Sequence, residues 1–376
     1  MTKNGKRIVS LILMLLIIST TLVGCFNYNE INELTFVTSA VFDIDDSENV
    51  VLYLDCMKPY RNTNESSDNG KRIVYKGIGK TALEAIRNVN MASSYRINFT
   101  QNRALIFTEA AAKKGIDKFL SLIDNDQHFQ VKPYAFVFFG DVKNLINVVQ
   151  NDEEYIGLFL NDLVLKNKKN PRIIISNIND YMVKTEMGNS YAVMSALEIK
   201  NDVSNQKVSL AGGVIMKDNK MVERIDATDA MSYNFLMDNI KSGTLEVANP
   251  QMGEGYVTLE ILNSKTKTNI EYKNDKILLN KKIKVRVTVA EAQGRFIVSE
   301  QAIRELNAKA EENIKDYLEE FFYNFADKDI DILQAERLLQ IKYPEKVIED
   351  VLSKIDLNVD VEIIIEGGSR VESSQI

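Results

Sequence analysis

The chain has 376 residues, 46 basic and 53 acidic, for a net charge of −7, with one histidine, two cysteines and no tryptophan. Such an acidic balance excludes the basic footprint that nucleic-acid phosphates demand. A zinc site with two or three histidines is excluded by the single imidazole, and there are too few cysteines to replace them.

The stretch from Met1 to Arg7 is short and basic, and residues 8–23 are apolar apart from Ser10, Ser19, Thr20 and Thr21, the pattern of an export signal. A spanning helix needs roughly 20 apolar residues, and this run falls a little short. Its end, Leu22-Val23-Gly24-Cys25, resembles the bacterial lipobox, which implies removal of residues 1–24 and a diacylglyceryl anchor on Cys25. An uncleaved anchor helix is the alternative, and both tether the protein to a membrane. Removing the leader takes away Lys3, Lys6 and Arg7 and no acid, leaving 43 basic residues against 53 acidic ones and a net charge of −10. Anionic lipid would repel such a chain, so the acyl group would have to do the anchoring. With Cys25 lipidated, Cys56 is alone and no intramolecular disulfide can form. It falls in residues 50–56, which read as a strand, so a buried, inert thiol is expected.

Residues 30–44 read as a polar lead-in and a strand, 50–56 as a second strand, and 61–70, RNTNESSDNG, as a loop without an apolar residue. From 72 to about 150 the pattern alternates, with strands at 72–76, 103–107 and 134–139 and helices at 81–92, 110–123 and 142–149. Alternation of this kind favours a sheet covered by helices. Helices follow at 153–165 and 177–183, then a strand at 191–199, and composition turns polar at 201–206, where a first boundary is placed. Strands at 208–216 and 221–224 flank the turn 217–220, and a helix lies near 228–237. Residues 256–262 and 282–289 alternate with period two, which argues for antiparallel strands with one wet face. A helix over about 300–326 carries Ile303, Leu306, Ala310, Ile314, Tyr317, Leu318, Phe321 and Phe325 at spacings of three and four, an apolar stripe that should lie on that sheet. Helical segments at 332–341 and 345–355 precede a closing strand at 357–365. The predicted class is α+β: an N-terminal mixed α/β domain (25–200), a small middle α+β subdomain (207–255), and a C-terminal antiparallel sheet with a long packed helix (256–370), behind a leader at 1–24.

Chemistry-bearing motifs are few. Gly77-Ile78-Gly79-Lys80-Thr81 suggests a phosphate-binding loop, but the full pattern needs glycine five positions before Gly79, where Val74 stands. A strand-to-helix turn using glycine for a positive φ is the preferred reading. Asp43-Ile44-Asp45-Asp46-Ser47 begins like a calcium loop, yet Glu48 replaces the turn glycine and Leu54 the closing carboxylate, so an acidic turn suffices. A serine or cysteine nucleophile would need His128 as its base, and no Gly-x-Ser-x-Gly elbow occurs. Paired carboxylates for glycoside hydrolysis lack a tryptophan-lined sugar platform. The basic run from Lys166 to Pro171 reads as a solvated turn after a helix. No catalytic, cofactor-binding or metal-binding residue is assigned, and the only site residue is the lipidation site Cys25.

The arrangement as a whole resembles the Ger(x)C family, lipoprotein C subunits of spore germinant receptors. The resemblance rests on Cys25 followed by Glu30-Ile31-Asn32-Glu33-Leu34, on GIGKTALEAIRNVNMASS (77–94) leading to RALIFTEAAAKKGIDKFL (103–120), on AGGVIMKDNKMVERIDATDAMSYNFLMDNIKSGTLEV (211–247), and on a final strand ending Glu366-Gly367-Gly368. It implies a non-enzymatic subunit, lipid-anchored on the outer face of the spore inner membrane, that assembles with a membrane-embedded A subunit and a transporter-like B subunit to sense nutrients. The chain departs from the family pattern at three points. Phe26 follows the lipid cysteine in place of tryptophan, Gln101-Asn102 precedes the strand at Arg103 in place of histidine, and Asp331-Ile332-Leu333-Gln334-Ala335 lacks the glycine of an Asp-Ile-Phe-Gly-like segment. A lipid-tethered solute-binding protein and a cortex-degrading enzyme are the rival readings.

Overall fold

A computed structural model describes residues 4–5, 12, 14, 33–58, 72–125, 132–148, 153–186, 188–201 and 206–366. The predicted leader end, Cys25, Phe26, the 61–70 loop, His128 and the terminal Gly367-Gly368 lie outside these residues.

The first sheet runs β3-β2-β1-β5-β6-β7-β8-β9, with β4 pairing β1 to one side. Its strands are β1 (Leu34–Ile44), β2 (Val50–Met57), β3 (Arg72–Gly79), β4 (Arg96–Asn98), β5 (Ala104–Thr108), β6 (Tyr134–Phe139), β7 (Tyr191–Asn201), β8 (Gln206–Lys217) and β9 (Lys220–Ile225). The centre, β1-β5-β6-β7, is parallel, and antiparallel strands flank it on both sides. Parallel strands covered on both faces must be apolar throughout rather than alternating. Accordingly Ala104-Leu105-Ile106-Phe107-Thr108 is buried at every residue. Over one face lie α1 (Ala82–Ala92), α2 (Glu109–Lys114), α3 (Asp117–Asn125) and α6 (Ile178–Thr185), and over the other α4 (Val142–Asn147) and α5 (Ile156–Asn167). On the first face Phe42 and Phe107 stack at 5.4 Å, and Phe119 packs 4.9 Å from Phe42. On the second, Ile106 and Phe136 meet Leu145, Ile156 and Leu160.

Two sequence expectations change here. The helix expected over 110–123 is two helices, broken where Gly115 takes φ +116°. Gly77 and Gly79 are extended residues of β3 rather than turn residues with positive φ. Their reason is close approach: a Cβ on Gly77 would stand 2.3 Å from the Ala85 carbonyl oxygen, and one on Gly79 2.6 Å from the Ala85 nitrogen. Only glycine lets α1 lie that near the strand. The polar stretch 201–206 connects β7 to β8, which are direct antiparallel partners in this sheet.

The second sheet runs β10 (Gly243–Ala248), β11 (Tyr256–Lys273), β12 (Lys276–Ala292) and β13 (Ile355–Ile365). It is antiparallel through β12, and β13 then joins parallel to β12 after a return through the helices. On its wet face Lys282, Lys284 and Arg286 of β12 meet Asp360, Glu362 and Glu366 at 3.3, 2.9 and 2.5 Å. On its dry face lies α8 (Glu300–Ala326), held by Ala302, Leu306, Ala310, Ile314, Leu318, Phe321, Phe322 and Phe325. Tyr317, expected in that stripe, is instead 66% exposed, because it stands beside the 310-314-318 row rather than on it. Helices α7 (Ala230–Leu236), α9 (Ala335–Lys342) and α10 (Val351–Lys354) complete the layer. The same core takes in Tyr191, Val193, Ile215 and Ile225 from the first sheet and Ile174 from the connection before α6, so the two sheets share one apolar interior at β7–β9.

Candidate functional site

Two buried carboxylates, Asp55 and Asp331, each serve the start of a helix. Asp55 on β2 is 1% exposed and binds Arg72 Nε at 2.6 Å. Its second oxygen accepts from the Thr38 hydroxyl at 3.1 Å and from the Ile156 N–H at 2.7 Å. Ile156 is the first residue of α5, and the preceding Tyr155 supplies no side-chain cap. Asp55 therefore does from another strand what an N-cap residue does locally. The helix start is jammed onto β1: a Cβ on Gly157 would lie 1.9 Å from the Thr38 carbonyl oxygen. Burial raises the Asp55 carboxyl pKa, with Arg72 and the hydrogen bonds opposing it. The neighbouring Cys56 thiol is fully buried and is driven well up by burial and by the Asp55 charge, as an inert thiol would be.

A second polar cluster joins the sheets. Asp331, fully buried, accepts from the N–H groups of Ala335 and Glu336 at 2.7 and 3.0 Å and so caps α9. Gln334 sits at φ +54°, ψ +44°, the left-handed region where the resemblance expects glycine. Its side-chain amide donates to the Tyr191 carbonyl oxygen at the start of β7. Tyr191 in turn donates through its hydroxyl to the Asp329 carbonyl oxygen at 3.0 Å, and the Gly188 N–H donates to Gln340 at 3.0 Å. The departure at Gln334 thus exchanges conformational ease for a bond from the start of α9 to β7. Gln101, the other described departure, is a surface residue whose side chain accepts from Arg103 at 3.3 Å.

The motifs set aside on sequence grounds are occupied by their own backbone. Thr81 accepts from the Glu84 N–H at 3.2 Å and Glu84 accepts from the Lys80 N–H at 2.7 Å, so the start of α1 engages its own amides much as a capping box does. Asp45 accepts from the Asn49 side-chain amide at 3.1 Å and from the N–H groups of Asn49 and Ser47 at 2.8 and 2.9 Å, which closes the acidic turn and lowers its pKa. The basic run 166–171 ends α5 and turns after it, but the turn is more than a solvated one. Asn234 donates to the Pro171 carbonyl oxygen at 2.8 Å, and Pro171 packs against Gly243, where a Cβ would meet it at 2.5 Å. Among the described residues no group of three or more metal-ligating side chains converges, and no helix is long and apolar enough to cross a membrane.

Between the sheets lies a cleft of about 1010 Å³. Its walls come from β9, β10, α7 and α8, with Asp229, Tyr317 and Glu320 among the side chains that line it. No sequence motif marked it, because its residues come from several elements and the connections between them, spread over 172–328.

Comparison with known proteins decides the family. Residues 27–199 match the spore germination protein N-terminal domain, and residues 211–368 match the spore germination B3/GerAC-like C-terminal domain. The chain belongs to the Ger(x)C family of spore germination proteins. Within it, this chain is 21% identical over 327 residues to spore germination protein GerQC of Bacillus cereus, covering 87% of this chain and 89% of that protein. It is 20% identical over 353 residues to spore germination protein B3 of Bacillus subtilis strain 168, covering 90% and 92%. The crystal structure of the GerBC protein superposes with a TM-score of 0.57 at 16% identity, over 87% of this chain and 97% of that one, so the Ger(x)C fold is shared.

Proposed function

We propose that this chain is the lipid-anchored, non-catalytic subunit of a nutrient germinant receptor. It is held through Cys25 on the extracytoplasmic face of the spore inner membrane and works by assembling with membrane-embedded A and B subunits. The observation that carries this reading is the family match, which runs through both halves of the chain, 27–199 and 211–368. The chemistry of the body supports it. The buried carboxylates Asp55 and Asp331 are engaged on helix N-termini. A diacylglyceryl group gains ~0.8 kcal/mol per buried methylene and, having two chains, anchors stably where one would be marginal. Restriction to the membrane plane raises the effective concentration toward membrane partners.

Pull-down of the full chain from detergent-solubilised spore membranes tests the assembly; recovery of polytopic A and B partners is expected, and their absence sinks the reading. Cys25→Ala should accumulate as precursor and leave the membrane fraction. The cleft favours one other reading, a lipid-tethered solute-binding protein. Direct binding of a germination-triggering nutrient by the purified chain, without A and B, would favour that alternative.

A further inference from the structure

Each sheet ends on a strand with no strand partner on its outer side among the described residues: β9 closes the first sheet and β10 the second. Both edges line the same cleft, β9 through Glu223 and Arg224 and β10 through five consecutive residues, Thr244 to Ala248. Side chains along a strand alternate between faces. Leu245 and Val247 turn into the core while Thr244, Glu246 and Ala248 are exposed, so what all five share with the cleft is their main-chain edge. That edge is about 17 Å long at ~3.4 Å per residue. Among the described residues, none of the five makes a main-chain hydrogen bond outside the β10–β11 ladder. An open edge of this kind is a template for another strand.

The charge of the cleft says what kind of strand. Its cations are engaged: Lys328 with Glu223 at 2.9 Å, Arg224 with Glu198 at 2.8 Å, and Arg172 with Glu246 at 3.8 Å. Asp229 and Glu320 have no cation paired with them among the described residues. Burial, then the charges of Asp226 and Glu320, push the Asp229 carboxyl above the usual range. Asp229 also stands at the N-cap of α7 without its side chain making the cap bond, so the helix start does not use its carboxylate oxygens. Tyr317 presents an exposed ring on the α8 wall, suited to the aliphatic stem of a lysine or arginine.

We propose that the cleft receives an extended polypeptide segment of a partner protein, which adds as a strand to β10 and places a basic side chain between Asp229 and Glu320. Main-chain bonds to the edge would supply affinity, and the carboxylates would select the segment. This goes beyond the receptor-subunit reading and does not depend on which complex the chain joins.

The test is hydrogen exchange, read by mass spectrometry, on the full chain in detergent with a ten-residue synthetic peptide of alternating lysine and valine. An alternating glutamate and valine peptide is the control. Exchange over residues 244–248 is expected to slow about tenfold or more with the lysine peptide and to stay unchanged with the glutamate peptide. The D229N/E320Q variant should lose that protection while keeping the free chain's exchange pattern over β11 and β12, which checks that it folds. Absence of protection, or equal protection by both peptides, overturns the proposal. So does protection already present in the free chain and lost on truncation after Glu366, which would assign the edge to the chain's own tail. The membrane pull-down is a separate measurement, so failure of the cleft and failure of the subunit reading are told apart.

Discussion

Among the described residues, one strand of each sheet buries a charged side chain against a helix end, and the two do so with opposite signs. In the first, Asp55 receives the N–H at the start of α5 and has Arg72 beside it. In the second, Lys281, 3% exposed on β12, donates to the Leu236 carbonyl oxygen at the end of α7 at 2.8 Å and to the Thr268 hydroxyl at 3.0 Å. A carboxylate at an N-terminus and an ammonium at a C-terminus each complement the helix dipole. The difference lies in the counter-ion. Asp55 has one within hydrogen-bond distance, whereas the Lys281 ammonium is bonded to neutral oxygens. Burial therefore pulls the Lys281 pKa down to about 8, with only the field of Asp238 opposing it. A sheet covered on both faces holds its charge as a pair, while the half-wet sheet holds its charge singly.

That contrast can be broken at several points. Asp55→Ala should have the largest effect, about 3–5 kcal/mol of unfolding free energy by denaturant titration, because it strands a part-buried guanidinium and leaves the start of α5 uncapped. Should it cost under about 1 kcal/mol, Asp55 is not the cap and counter-ion described here. Lys281 comes next through pH. Its folded pKa lies below the unfolded value of 10.5, so between about pH 8 and 10.5 the unfolded chain binds more protons and stability rises with pH. The rise attributable to this group is on the order of 3 kcal/mol, and Lys281→Met should flatten it. A slope unchanged in the variant would sever the link.

Gly157→Ala should cost about 1–3 kcal/mol or more, since the new methyl meets the Thr38 carbonyl. A crystal structure of the variant should show α5 displaced from β1. Gln334 gives a finer test. Gln334→Gly relieves the left-handed backbone and loses the bond to Tyr191, two effects of about 1 kcal/mol each that nearly cancel. Gln334→Ala keeps the strain and loses the bond, so it should be the less stable of the two by about 1 kcal/mol. The smallest effect belongs to the wet-face ladder. Lys284→Ala should change stability by less than about 1 kcal/mol and do so less at high salt, as exposed ion pairs do.

Much of the architecture could be read directly from sequence. The apolar strands of the first sheet, the period-two strands of the second and the stripe of α8 are local patterns, each set by the need to bury one face or two. The residues that organise the candidate surfaces were not legible in the same way. Asp55 was visible only as an acid inside an otherwise apolar strand, with nothing to say that Ile156, a hundred residues on, would need its oxygen. Gln334 was marked as a departure from a family glycine, yet its left-handed backbone and its reach to Tyr191 belong to the fold. Tyr317 had the spacing of a core residue and faces the cleft instead.

Sequence by itself determined the α+β class, the long helix on the second sheet, the family, and the expectation of a lipid hook at Cys25. Tertiary structure alone decided the parallel docking of β13, the glycines that let helices touch strands, the caps supplied from distant strands, and the cleft between two open edges. The physical reason is range: burial periodicity is written in neighbours along the chain, whereas a cap, a close approach or a strand edge exists only once remote segments meet.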